Sequence, residues 1–384
     1  MRVIDTLDIS DIILSPVYLL IIYFIAKSYQ QKRIKNNPEY KYFVSGLFAK
    51  IFGGIGLVFI YYYLYRGGDT INYYMSALGL LKFAATNFTD YLKIMIGYFS
   101  NELRYLLISK QPYISYTHDF NSFAVVRFSS IFVFLGGGSF VCSTILVSVF
   151  SYFGIWRLFR LFISLFPFRI NYLALSIIYM PSVFFWGSGL LKDTYTLFAL
   201  CVFTYYSFQL FINKKYKLSN IFYIIIASYL MLIIKPYIFL AAFLSFIIMI
   251  IYHYYSSFKN KIIRVVIIPA ISLVLLLLAP SIMFQLGGLS GNVWYSSIDR
   301  VIEKAVVMQQ DLKQDYYQGN SFDIGAINPT PMGLLMKAPV AIAAGLFRPY
   351  LWDVRNPVMF ISALENSLIL FMFIYNVVIA IVIV

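Results

Sequence analysis

The chain has 384 residues, of which 61% are hydrophobic and only 12% are charged, and its net charge is +14. A soluble domain carries about twice that charged fraction, so the composition excludes an ordinary water-soluble protein. Lys and Arg are dealt out among short loops between apolar runs instead of forming one patch, which excludes nucleic acid as a partner.

Cys142 and Cys201 fall inside apolar runs, without a Cys or His at metal-ligand spacing, so neither a disulfide framework nor a zinc site is indicated. His118 and His253 stand far apart, and no HxxH or HExxH pattern occurs.

Several apolar runs reach the ~20 residues that cross a bilayer. The expected fold is therefore all-α, a polytopic integral membrane protein of about nine transmembrane helices in a single membrane domain over 1–384. The 34 Tyr and 37 Phe suit aromatic girdles at two interfaces. The N-terminal MRVIDTLDISD is acidic and has no cleavage site, so the first span, about 11–27, is expected to be retained. The Lys- and Arg-rich KSYQQKRIKNNPEYKY follows it; the positive-inside rule makes this loop cytoplasmic and puts the N-terminus outside.

The second span, about 47–64, then delivers Asp69 to the outer face. Residues 71–122 form an outer loop. There Leu78, Leu81, Ala85 and Phe88 share one helical face, and Tyr91, Ile94, Met95 and Tyr98 another. Two amphipathic helices are expected, lying in the interface or packed on the bundle. A third span over about 126–155 contains Gly136, Gly137 and Gly138. One long, kinked span keeps the charge bias consistent, whereas two short spans would place Arg157 and Arg160 outside.

The later spans are expected at about 171–187, 194–212, 219–234, 237–254, 265–285 and 366–384. Arg157, Arg160 and Arg169, then Lys214, Lys215 and Lys217, then Lys259, Lys261 and Arg264 fall inside, together with Lys50. Glu39 is the one acid expected there. Residues 286–365 form a long outer segment. It contains an exposed amphipathic helix in DRVIEKAVVMQQDLKQDYYQGN and an apolar stretch, 338–347, too short to span and so re-entrant or interfacial. The final FIYNVVIAIVIV ends inside a hydrophobic run, which predicts further chain beyond Val384.

Asp69 closes the stretch IFGGIGLVFIYYYLYRGGDT at 51–70. An apolar helix runs into the aromatic belt Tyr61, Tyr62, Tyr63 and Tyr65, then into Arg66, Gly67 and Gly68. A carboxylate where a helix leaves the hydrocarbon is costly unless it is solvated, paired or used, and the two glycines free the backbone to turn. Asp69 is then either a solvated acid beside Arg66 or a catalytic carboxylate at the membrane surface.

The topology places three more polar clusters on the same face: PSVFFWGSGLLKDT at 181–194, Lys235-Pro236-Tyr237, and Arg348-Pro349-Tyr350-Leu351-Trp352-Asp353. Each has a plain structural role open to it. Lys235 can snorkel, Asp193 and Thr194 can cap a helix, and Arg348 can anchor to lipid phosphate. Their conjunction points instead to phosphate chemistry. Arg66, Lys192, Lys235 and Arg348 are candidates to hold a phosphate or diphosphate leaving group. Asp69, with Asp193 as its rival, is the candidate to take the proton of an acceptor hydroxyl attacking an anomeric carbon. Trp186, Tyr237, Tyr350 and Trp352 are candidates to contact the sugar or acceptor. A substrate with its apolar tail in the bilayer would enter such a site sideways, and a polyprenyl-linked sugar has that form.

GGDTINYY at 67–74 resembles the first-loop aspartate motif of the GT-C superfamily of polytopic membrane glycosyltransferases, as do the interfacial helices after it. PSVFFWGSGLLKDT and FRPYLWD at 347–353 resemble motifs of uncharacterised bacterial multi-pass proteins grouped with these enzymes. The resemblance implies an all-helical protein of the bacterial cytoplasmic membrane with its active site on the outer face. It implies transfer from a polyprenyl phosphate or diphosphate sugar to a glycan, lipid or protein acceptor in cell-envelope glycan synthesis. Asp69 would be the general base or a ligand to a divalent cation such as Mg2+ or Mn2+.

This chain departs from the superfamily in two ways: a span precedes the one leading to Asp69, and the loop lacks a paired Asp-Asp or Asp-Glu. GGDTINYY is also similar to the Gly-x-Asp-Thr-x-x-Tyr pattern of EpsG- and Wzy-like exopolysaccharide polymerases, which implies the same donor and a growing glycan as acceptor. A transporter or flippase of lipid-linked glycans is the alternative from another class. It would show repeats and midplane charges, whereas the chain has no evident repeat and its charges gather at helix ends, Arg127 being the nearest exception.

Overall fold

A computed structural model describes residues 7–111, 113–255, 266, 268–289, 296–314 and 323–383. Lys259, Lys261 and Arg264 lie outside the described residues. Among those described, every regular element is helical. Among the described residues, six helices are long and apolar enough to cross a membrane: Ile9–Ile34, Pro38–Leu64, Phe140–Leu165, Lys192–Ile212, Pro236–Tyr254 and Pro357–Ala380. Three shorter apolar helices, Phe120–Leu135, Leu218–Ile234 and Pro331–Phe347, accompany them. The chain divides into two compact units, Met1–Ala279 and Pro280–Val384.

The first unit opens with α1 (Ile9–Ile34), capped by a reciprocal Asp8–Asp11 pair. Its apolar side chains are largely uncovered, Ile12 being 76% and Phe24 66% exposed, as suits a helix facing lipid. A short 3-10 turn, Pro38–Tyr42, leads to α2 (Phe43–Phe59), which continues as π-helix over Ile60–Leu64. Then come α3 (Asp69–Thr86), α4 (Phe88–Met95) and α5 (Asn101–Lys110). The face of α3 that carries Tyr73, Ala77 and Leu80 is buried, so this helix packs in the core, while α4 and α5 stay largely uncovered.

The expected single span over 126–155 is two helices, α6 (Phe120–Leu135) and α7 (Phe140–Leu165). Gly137 and Gly138 adopt φ of 65° and 81°, a left-handed conformation that stops a helix and suits glycine. Ser139 then caps α7 by accepting from the Cys142 amide. The break nonetheless leaves the charge distribution intact, because α6 does not cross to the arginine end. It starts at Asp119, beside Lys192 (3.4 Å), and ends at Gly136, three residues before Ser139. Ser139 Oγ and the Val141 amide (2.8 Å) both donate to Asp11 at the start of α1, and Arg160 far along α7 meets Glu39 beyond the end of α1 (3.5 Å). Helices α1 and α7 therefore run parallel, and Arg157 and Arg160 share an end with the Lys27–Lys41 stretch.

Asp11 is 4% exposed and serves three donors, the Asp8 amide being the third. Asp11→Ala would leave these buried donors unpaired, at a cost of about 1–3 kcal/mol. A lower unfolding temperature in detergent is the expected readout, partly restored in Asp11→Asn.

Helix α2 runs antiparallel to α7 and offers it a face of small residues. A Cβ on Gly46 would lie 2.7 Å from Tyr152 Oη, and one on Gly54 2.5 Å from Ser148 Oγ. Such close approach maximises packing where water supplies no hydrophobic drive. Lys50 lies on this same face. Expected among the cytoplasmic charges, it is instead 1% exposed within α2 and donates to the Val183 carbonyl at 3.0 Å.

The expected span at 171–187 is also broken, into α8 (Ile170–Ile177) and α9 (Pro181–Trp186). Pro181 accounts for this: it forces Met180 into an extended conformation and is well placed as the first residue of a new helix. The broken segment climbs along α2. Asn171 accepts from Lys41 and Tyr42 (3.1 and 2.8 Å), and Tyr179 bonds Ser45 (2.6 Å). Phe184 packs on Gly53 and Ser188 on Gly54, and Gly189 reaches Leu57 and Thr70. The chain thus rises from the basic end to the start of α3 and delivers Gly187–Asp193 to Asp69. It then descends as α10 (Lys192–Ser207), continued by π-helix over Phe208–Ile212. α11 (Leu218–Ile234) and α12 (Pro236–Tyr255) follow, and α13 (Ile268–Leu289) carries the boundary between the units.

The second unit contains α14 (Ile298–Asp311), α15 (Pro331–Phe347) and α16 (Pro357–Ile383). The expected amphipathic helix is α14, and Lys313 after it pairs with Asp323 (3.2 Å); residues 315–320 of that stretch lie outside the described residues. The short apolar stretch at 338–347 is the second half of the 17-residue α15. α16 starts nine residues before the expected span at 366.

Candidate functional site

The site begins with the turn between α2 and α3. Arg66, Gly67 and Gly68 all have positive φ (54°, 154° and 107°). Gly68 is required sterically, since a Cβ there would come within 2.8 Å of the Tyr61 ring. The turn makes Asp69 the first residue of α3, with no side-chain cap before it. A carboxylate in that position is favoured by the helix dipole.

Asp69 is exposed, and its partner is not Arg66. Tyr116 Oη donates to Asp69 Oδ1 at 2.8 Å, and the Tyr116 ring stacks on Tyr73 with centroids 4.8 Å apart. Burial, and then the Asp69 charge, push the Tyr116 hydroxyl well above its ordinary pKa, so it stays protonated as a donor. Arg66 is exposed and makes no ion pair among the described residues.

A second carboxylate, absent from the sequence expectation, is Asp119. It caps α6 through the Asn121 amide (3.1 Å), accepts from Ser122 Oγ, and pairs with Lys192 at 3.4 Å. Burial acts to raise its pKa. The Lys192 charge and the bonds from Ser122 outweigh burial and hold the carboxyl below its ordinary value of 3.8. Because the folded pKa is the lower one, the stability this group contributes is full above the unfolded value. It is lost as pH falls through the folded one. An acid titration of unfolding should therefore show an added loss below pH ~4 in the parent that is missing in Asp119→Asn.

The third carboxylate, Asp193, pairs with Lys235 at 2.6 Å. Lys235 sits at the break between α11 and α12, where Pro236 starts a new helix. Burial acts to lower the pKa of this lysine, and Asp193 with Tyr237 outweighs it, so the net shift is upward.

These pairs share one neighbourhood. Tyr61 interacts electrostatically with both Asp69 and Asp193, Tyr73 with both Asp69 and Asp119, and Gly189 packs on Thr70. Asp69, Lys192, Asp193 and Lys235 thus lie in one neighbourhood, together with Asp119, Tyr116 and Tyr73. Asp119 left one signal in the sequence, an Asp followed three residues later by Ser122 ahead of an apolar run, which is an N-cap pattern. Tyr116 left none.

An apolar groove leads away from the cluster. Asp193, Trp186 and Gly187 stand at its head, with Leu197, Leu200 and Ile238 below, in a volume of about 510 Å3. Leu200 and Ile238 also border a second cavity of about 400 Å3, where Tyr237, Ala241 and Phe246 continue the path along α12. Lys50 holds the Val183 carbonyl on the wall of the first groove.

Arg348, Tyr350 and Trp352 belong to the second unit. There Arg348 pairs with Asp353 (3.7 Å), and the Tyr350 and Trp352 rings stack at 4.8 Å. The donors do not fit a divalent cation: among the described residues no three His, Cys, Asp or Glu side chains converge as a ligand set, and the site's carboxylates already engage Tyr116, Lys192 and Lys235.

No family model, curated protein or solved structure matches the chain.

Proposed function

We propose that the protein is a membrane glycosyltransferase. In this proposal it moves a sugar from a polyprenyl phosphate or diphosphate donor to an acceptor at the outer face of the bacterial cytoplasmic membrane. The observation that supports this most is the polar cluster at the head of an apolar groove. Asp193 stands at the head of the groove and holds Lys235, Lys192 precedes it in the chain and pairs with Asp119, and Asp69 lies in the same neighbourhood, so a lipid tail lying along α10 and α12 would present its phosphate to two lysines. Each ammonium has three donors, which leaves Lys192 and Lys235 able to bind phosphate oxygens beside their carboxylate partners and to stabilise the leaving group.

Asp69 is the general base. It is exposed, and Tyr116 donates to its Oδ1, which leaves Oδ2, without a hydrogen-bond partner among the described residues, to accept a proton from an acceptor hydroxyl. The C–O bond from that hydroxyl to the anomeric carbon forms as the bond to phosphate oxygen breaks. The bonding pair leaves with the phosphate, and the proton passes to Asp69. Trp186 at the head of the groove and Tyr237 on the adjoining cavity supply faces for the sugar. The chemistry is the same for an EpsG- or Wzy-like polymerase, in which the acceptor is a growing glycan.

The test is an assay of purified protein with a polyprenyl-linked sugar and, in parallel, glycan, lipid and peptide acceptors. Lipid-linked donor must be consumed, and the acceptor that gains the sugar assigns the class. Donor left intact with every acceptor removes the proposal.

A further inference from the structure

The arginine end of the first unit holds a second polar cavity that the proposed reaction does not use. It has a volume of about 370 Å3 and is bordered by Arg157 on α7, Gln209 beyond α10, Lys215 and Lys217 in the loop before α11, and Ser219 and Tyr223 on α11. Three cations face it. None makes an ion pair among the described residues. Nor does the chain offer them a carboxylate nearby in sequence, since Asp193 is the only acid between Asp119 and Asp299 and pairs with Lys235. Glu39, the acid at this end, is engaged by Arg160.

Sorting of Lys and Arg to one side of a membrane would by itself leave solvated side chains. Here Arg157 is built in, and the two lysines sit on a loop whose backbone is held. The Arg157 guanidinium lies over Phe153 at 4.8 Å, Tyr205 at 5.5 Å and Tyr206 at 5.8 Å, and Tyr206 is stacked on Tyr223 at 4.4 Å. Such faces hold the guanidinium plane and leave its edge, where the donors point, for a ligand. The loop is tied down as well. The buried Asn220 donates to the Lys215 carbonyl (2.8 Å), and the Lys215 amide to the Gln209 carbonyl (2.9 Å). Lys214 within it has φ of 53°, a left-handed conformation that costs energy in a non-glycine residue and persists where its surroundings impose it.

We infer that this cavity is a phosphate-binding site, taking the phosphate group of an anionic lipid headgroup at the basic end of the bundle. A guanidinium edge with two ammonium groups and the Ser219 hydroxyl matches a tetrahedral anion. Exposed Phe211 precedes the loop that carries the lysines, and exposed Tyr216 stands between them, as suits a site at the level of lipid headgroups.

The experiment titrates detergent-purified full chain with dioctanoylphosphatidylglycerol, with dioctanoylglycerol, which has the same tails and no phosphate, and with inorganic phosphate. The rise in unfolding temperature is read by tyrosine and tryptophan fluorescence. Phosphatidylglycerol should protect saturably and dioctanoylglycerol should not. Arg157→Gln should weaken the apparent affinity by about tenfold or more. The exposed pair Lys215→Gln with Lys217→Gln, which leaves the aromatic packing untouched, should do the same. Arg169→Gln, at the same end but outside the cavity, should match the parent. Saturable protection by inorganic phosphate that also depends on Arg157 keeps the site and makes its source soluble. Equal protection by the two lipids, equal affinity in Arg157→Gln and the double variant, or an equal loss in Arg169→Gln overturns the site.

Discussion

The Asp69→Asn variant is expected to transfer sugar about 10²–10⁴-fold more slowly than the parent, the range by which a positioned general base accelerates a reaction. Asparagine keeps an oxygen to accept the Tyr116 hydrogen bond, so the turn at Arg66–Gly68 and the start of α3 should survive, and the unfolding temperature should stay close to the parent's. What is lost is the oxygen that accepts a proton. The loss should appear in kcat, because the carboxylate acts in the transition state more than in holding the donor. Tyr116→Phe removes one hydrogen bond to the same carboxylate and should cost about tenfold. Asp193→Asn separates the two candidates. If Asp193 serves mainly to hold Lys235, its loss should raise KM for the lipid-linked donor more than it lowers kcat. The reverse pattern, with Asp69→Asn fully active, would transfer the role of base to Asp193.

The second large effect lies outside the cluster. In Gly53→Ala the new methyl would lie 2.1 Å from the Phe184 carbonyl oxygen and 2.9 Å from its ring. A backbone oxygen at that distance cannot be accommodated by a rotamer change, so α9 must move away from α2. Overpacking of this kind costs about 1–3 kcal/mol. Because α9 leads directly into Gly187–Asp193, the displacement should lower transfer as well as unfolding temperature. Gly56, one turn further along the same helix, is the control. The nearest atom to a Cβ there is 4.0 Å away, so Gly56→Ala should be neutral or slightly stabilising, by up to about 1 kcal/mol, as expected when alanine replaces glycine in a helix. Equal unfolding temperatures and activities for the two variants would show that α9 does not depend on this contact.

The apolar helices were legible wherever a long run of one character is uninterrupted, as in α1, α2, α10 and α12, because bilayer thickness sets a length that hydropathy alone can reveal. Charge sorting also carried over, since Arg160 does meet Glu39 at the same end as the Lys27–Lys41 stretch. The failures came where local backbone chemistry overrides hydropathy. Gly137 and Gly138 end a helix that composition alone would continue, and Pro181 divides the expected span at 171–187 into α8 and α9.

Lys50 misled for a different reason. A lysine near the start of an apolar run is usually a boundary charge, whereas here its partner is a carbonyl 133 residues away in sequence. The site was half legible on the same grounds. Asp69, Lys192, Asp193 and Lys235 sit at helix breaks marked by glycine or proline, which sequence shows. Asp119 and Tyr116 reach the cluster through the packing of α6 against α3, which no local pattern encodes.

Sugar transfer from a lipid-borne phosphate at the carboxylate cluster is the central step. The most direct measurement follows a radiolabelled sugar on a short-chain polyprenyl phosphate in proteoliposomes that contain the parent protein and mixed acceptors. Label is expected to leave the lipid fraction for an acceptor, with free polyprenyl phosphate appearing in step. Label that remains on the lipid, while the protein retains its parent unfolding transition, would contradict it.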